Sequence, residues 1–135
     1  MGLNRMMMMK NGGVKVEDGS KTWSYKEADN KTITFTVPPG VKRIKVFAAV
    51  DDASGEPFAS TAAGIKNKTS NKVWGHGYSE ANEGGDLENH ENIDSIVGVT
   101  PNKTYTLYFY CYYTSDVTFS WGKAINAMTP IVEDY

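Results

Sequence analysis

Apolar and polar residues alternate with period two along two stretches of the chain. In 32–37, Ile33, Phe35 and Val37 fall on one side and Thr32, Thr34 and Thr36 on the other. In 43–50, Ile44, Val46, Ala48 and Val50 share one side, and Arg43 and Lys45 take the other. Successive side chains of a strand point to opposite faces, so this period predicts strands with one buried face. Pro38-Pro39-Gly40 lies between the two. Proline fixes φ and removes an N–H, and glycine accepts positive φ, so the tripeptide predicts a turn. Further strands are predicted over 21–25, 61–66, 72–74, 93–99, 104–112 and 117–121, where Thr, Val, Ile and aromatic residues dominate. Turn-forming residues separate them at 51–57, 67–71, 101–103 and 115–116. No long helical period is present; 88–96 has room for one turn of helix. Short strands at this spacing predict an all-β fold, an antiparallel β-sandwich of jelly-roll-like form. Its expected core includes Phe35, Val46, Leu107, Phe109, Phe119 and Trp121.

The segment 75–92 breaks the pattern. It contains Gly75, Gly77, Gly84 and Gly85 and is rich in carboxylates, with no Lys or Arg. A patternless stretch of this length predicts a mobile or partner-ordered loop. The length of 135 residues suits one domain. Residues 14–135 are expected to form it, preceded by a flexible or docking segment over 1–13.

A net charge of −2 gives no electrostatic reason for nucleic-acid or membrane binding. The halves differ: residues 1–72 carry 12 Lys/Arg against 7 Asp/Glu, and residues 73–135 carry 2 against 9. Either the halves interleave in one sandwich and the asymmetry averages out, or the molecule has a basic and an acidic pole suited to subunit packing. Cys111 is the single cysteine, so no intrachain disulfide can form; its apolar, aromatic surroundings in sequence predict a buried thiol. The opening MGLNRMMMMK has too short an apolar stretch for a signal peptide, and no segment is long enough to span a bilayer. Synthesis in a bacterial cytoplasm is the expectation.

Chemistry-bearing patterns are sparse. His76 and His90 are the two histidines, in no H-E-x-x-H arrangement and with no second cysteine to complete a zinc site. A loop folded back on itself could bring them to a carboxylate and a divalent metal. Glu80, Glu83, Asp86 and Glu88 could offer oxygen ligands to calcium, without the D-x-D-x-D-G spacing of a dedicated loop. Phosphate-loop, nucleophile-elbow and dinucleotide fingerprints are missing. The expectation is therefore a non-enzymatic chain with no catalytic residues, no cofactor and no metal site.

Binding residues are better marked. Over 104–113, Tyr105, Leu107, Phe109, Cys111 and Tyr113 share one face, and Tyr108, Tyr110 and Tyr112 share the other. A strand apolar on both faces is either central and covered, or presents a tyrosine stripe to a partner or a sugar. Met6, Met7, Met8 and Met9 are four adaptable apolar side chains in a row, suited to docking on a neighbouring subunit. The candidate binding and interface residues are thus Met6–Met9 with Tyr108, Tyr110 and Tyr112.

The stretch 34–46, TFTVPPGVKRIKV, followed by 99–107, VTPNKTYTL, resembles recurrent segments of phage tail and tail-fibre glycine-rich β domains. The long glycine runs of those domains have no counterpart here; 75–86 is the nearest match. The resemblance implies a virion structural or host-adsorption domain, assembled with itself, as a trimer by preference, or with other virion proteins. Contact with a surface glycan is compatible with it, and it transfers no catalytic residue. The alternative is a cell-surface carbohydrate-binding β-sandwich module.

Overall fold

The computed structural model describes residues 14–26, 28–50, 60–81, 87–93, 95–110 and 114–135. Along the chain run β1 (Gly19–Ser24), β2 (Thr32–Thr36), β3 (Arg43–Val50), β4 (Ser60–Asn67) and β5 (Val73–Ala81). Then follow β6 (Leu87–Ile93), β7 (Ser95–Gly98), β8 (Thr104–Phe109), β9 (Thr114–Trp121) and β10 (Val132–Glu133). A 3-10 turn, Asp29–Lys31, precedes β2, and a single helical turn, α1 (Lys123–Asn126), follows β9.

The strands form two sheets of five. One has the order β1-β9-β3-β7-β10 and the other β2-β8-β4-β5-β6. Neighbours within each sheet are antiparallel except β10, which runs parallel to β7. Four of the pairings are nested: β1 with β9, β2 with β8, β3 with β7 and β4 with β5. Both sheets therefore combine strands from the basic first half with strands from the acidic second half, so the charge difference along the sequence does not divide the molecule sheet by sheet.

The period-two pattern sorts side chains as the sequence predicts. Ile33, Phe35 and Val37 are buried, and so are Ile44, Val46 and Ala48. Tyr105, Leu107 and Phe109 of β8 join them. Phe119 of β9 gathers rings from both sheets, with centroids 4.9 Å from Trp23, 5.2 Å from Phe35 and 5.6 Å from Trp74. Trp121, expected in the core, is half-buried at its margin. The first two contacts are edge-to-face and the third is tilted, and such ring pairs add to the burial of large ring surfaces.

The two proline turns are built alike. In 38–41, Val41 N–H donates to Pro38 O at 3.2 Å while Gly40 takes φ 78°. In 100–103, Lys103 N–H donates to Thr100 O at 3.2 Å while Asn102 takes φ 68°. Proline second and a positive-φ residue third is the pattern of a type II turn. The turns also bond to each other: Val37 N–H donates to Lys103 O and Asn102 N–H to Val37 O, both at 2.9 Å. The two sequence segments that carry the phage-domain resemblance are thus neighbours in space.

Two expectations are corrected. The segment 75–92 is not a long loop, because β5 and β6 pair within it, from His76↔Ile93 to Ala81↔Leu87. Nor do the described residues of 88–96 form a helical turn, because they belong to β6 and β7. Glycine content misled in the first case. Gly75 is buried inside a strand, and a Cβ there would lie 2.7 Å from Val46 Cγ1 of the opposing sheet. Glycine within a strand marks such a close approach as readily as it marks a loop. The strand predicted over 104–112 also ends early, at Phe109.

Candidate functional site

Four concavities formed by described residues differ in what they leave for a ligand. One, lined by Val14, Lys15, Val16, Lys123 and Asn126, has its one amide already in use. Asn126 Oδ1 accepts from the backbone N–H groups of Lys42 at 2.6 Å and Arg43 at 3.2 Å, and its Nδ2 donates to Gly40 O at 3.2 Å. This amide ties α1 to the proline turn and to the start of β3. A second, lined by Lys45, Phe47, Thr118 and Ser120, is a dip in the outer face of the first sheet.

The third, about 330 Å³, borders Asp134, whose polar atoms are engaged by the protein itself. Asp134 is buried, and its Oδ2 accepts from Asn67 Nδ2 at 2.7 Å, Trp74 Nε1 at 2.7 Å and Ser70 Oγ at 2.9 Å. Its backbone N–H donates to Gly98 O at 2.8 Å, and its backbone carbonyl accepts from the Tyr105 hydroxyl at 2.6 Å. Lys72 Nζ donates to Glu133 O at 2.7 Å. A buried carboxylate must be met by several donors, and here β4, β5 and the turn between them supply three. The chain after Pro130 is thereby fastened across one end of both sheets. The three side-chain donors to Asp134 Oδ2 tie β4, β5 and their turn to the end of the chain. Sequence reasoning missed it: Asp134 sits in IVEDY, and nothing there separates it from an ordinary surface acid.

The fourth concavity, about 420 Å³, lies on the outer face of the second sheet. Strand order places β8 between β2 and β4, and Tyr108 of β8 pairs with Thr32 on one side and Lys66 on the other. Tyr108 is half-buried and forms the floor. One wall is the turn before β2, with Asn30 and Lys31; the other is the β4–β5 turn, with Lys68 and Asn71. The second wall is held rigidly. Asn67 N–H donates to Lys72 O at 2.9 Å, Asn71 N–H to Asn67 O at 2.9 Å, and Thr69 N–H to Asn67 Oδ1 at 2.8 Å. Lys68 N–H extends the ladder to Thr106 O at 2.9 Å. The Lys31 ammonium stands 5.7 Å from the centre of the Tyr25 ring, which itself packs edge-on against Phe109.

Backbone conformation singles out the same place. Four described non-glycine residues have positive φ: Asn30 (50°), Lys31 (61°), Asn71 (66°) and Asn102 (68°). Three of them line this groove. Asparagine tolerates the left-handed region; lysine gains nothing local from it. Strained backbone of this kind gathers where a surface is shaped for a ligand.

Two of the three tyrosines expected to share a stripe are among the described residues. Tyr108 is in the groove. Tyr110, just past the end of β8, lies over β4, its ring occupying the space a side chain at Gly64 would fill. Tyr112 lies outside the described residues, as do Met6, Met7, Met8, Met9 and Cys111. His76 pairs with Ile93 and His90 with Ser79, so the register does not make the two histidines cross-strand partners. Among the described residues no group of His, Cys, Asp or Glu is arranged to hold a metal ion, and no helix is long and apolar enough to cross a membrane. Asn30, Lys31, Lys68 and Asn71 were not legible as a site, because they come from two turns 37 residues or more apart that only the order β2-β8-β4 brings together.

Comparison with protein-family models, curated proteins and solved structures gives no match to the chain.

Proposed function

We propose that this chain is a non-enzymatic recognition domain that adsorbs to a surface glycan through the groove floored by Tyr108. The groove itself carries the reading. It is of the size typical of small-molecule sites. It offers an aromatic floor, two asparagines that can donate and accept hydrogen bonds, a threonine and two lysines. A half-wet tyrosine ring suits the mixed apolar and hydroxyl faces of a sugar.

The architecture supports the same reading at a coarser level. The four nested antiparallel pairings are what one long hairpin produces when it is wrapped into two sheets. That supports a jelly roll, with β6 and β10 as additions at the sheet edges, and jelly rolls recur in lectin and viral capsid domains. The resemblance of 34–46 and 99–107 to phage appendage domains favours a virion setting in which the glycan belongs to the host surface. A cell-surface module would use the same groove.

The test is a glycan array probed with the wild-type chain and with Tyr108→Ala. Selective binding by the wild type that falls at least tenfold in the variant supports the proposal. A wild-type chain that retains no glycan, or a variant that binds as well as the wild type, overturns it.

A further inference from the structure

Resting on the glycan reading above, we infer that the groove selects an acidic saccharide, one whose carboxylate is held between Lys31 and Lys68. Each wall contributes one lysine to the lining, and none of the described lining residues is an acid. The ion pair formed between described side chains is Lys15–Glu17, at 3.5 Å, and it involves no lining residue of the groove. Neither Lys31 nor Lys68 is therefore ion-paired with an acid whose side chain is described.

The settings of the two lysines differ in a useful way. Lys68 follows Asn67 in a turn fixed by backbone hydrogen bonds and by the side-chain oxygen of Asn67. Lys31 sits in the left-handed region, and its ammonium faces the Tyr25 ring. A cation over an aromatic face is restrained without losing its charge. Both lysines thus start from a fixed backbone, and the Lys31 ammonium is restrained as well, which lowers the ordering cost of closing on a ligand. Lysine is a compact point charge with rotatable donors, suited to a single carboxylate among hydroxyls, whereas a planar bidentate match would call for arginine. Tyr108 beneath and Asn30 and Asn71 beside the lysines would meet the ring and the hydroxyls, so a bare anion would use only part of the site.

The experiment is isothermal titration of the full chain with tri-galacturonate, with its carboxyl-reduced neutral counterpart, and with acetate. Two exposed ammonium–carboxylate pairs are expected to favour the uronate by about tenfold over the neutral trisaccharide. That preference should disappear in the Lys31→Gln/Lys68→Gln double variant while weak binding of the neutral sugar remains. A thermal melt of the variant shows that it is folded. Equal binding of the two trisaccharides would overturn the inference and leave the glycan reading standing. Acetate binding as tightly as tri-galacturonate would overturn it in favour of a bare anion site. An undiminished preference in the double variant would place the charge recognition elsewhere and overturn it too. Failure of both trisaccharides to bind would also overturn it, and the glycan array, which holds other sugars, then decides the broader reading separately.

Discussion

Lys31 is the residue at which conformation and charge can be separated. Its φ of 61° disfavours any side chain with a Cβ. Glycine relieves that strain and alanine does not, so Lys31→Gly should be more stable than Lys31→Ala by about 1 kcal/mol, after allowing for the greater freedom of glycine in the unfolded chain. Urea denaturation of the two variants measures this, and equal midpoints would contradict a left-handed Lys31. Asp134 makes a second test. Replacing it with alanine removes the acceptor of Asn67, Ser70 and Trp74, two of these donors being buried. Stranding buried donors predicts a loss of about 3 kcal/mol, and a loss below about 1 kcal/mol would contradict the fastening role. Neither residue was legible in the sequence. Asp134 is one of two adjacent acids near the end of the sequence, and its importance depends on donors 60 or more positions away. Tyr108 was legible, because an aromatic residue on the outward parity of a strand breaks the expected polar alternation.

At the scale of elements, the hairpin of β5 and β6 is the sharpest departure from expectation. Its register predicts slow amide hydrogen exchange within 76–80 and 87–92, since paired backbone groups exchange only on opening. Uniformly fast exchange there, at the rate of an unstructured loop, would contradict the pairing. The alternating strands β2 and β3, their proline turn and the inner face of β8 were all legible, because burial on one face imposes a period of two. The hairpin was not. Its glycines and carboxylates imitate loop composition, and the need for glycine at position 75 arises from Val46 on another sheet. The short strand β10 was equally hidden: two residues paired parallel to β7 leave no periodic trace. The single turn α1 is likewise too short to show a helical period, and it is held by the Asn126 amide rather than by amphipathic packing.

For the whole molecule, the sandwich was legible as a class and the groove was not. Strand composition and spacing reveal that two sheets form; they do not reveal which turns meet above which strand. The order β2-β8-β4 is what converts two unremarkable turns into the walls of one concavity over Tyr108. The interleaving of basic and acidic halves has the same origin, since each sheet draws strands from both. Binding of a saccharide in this concavity can be read residue by residue. The most direct measurement is a ¹⁵N–¹H correlation titration of the full chain, first with tri-galacturonate and then with its neutral counterpart. The account predicts perturbations concentrated at 30–32, 68–71 and 106–109, larger and earlier in the titration for the acidic sugar. Perturbations concentrated on another face, or none with either sugar, would contradict it.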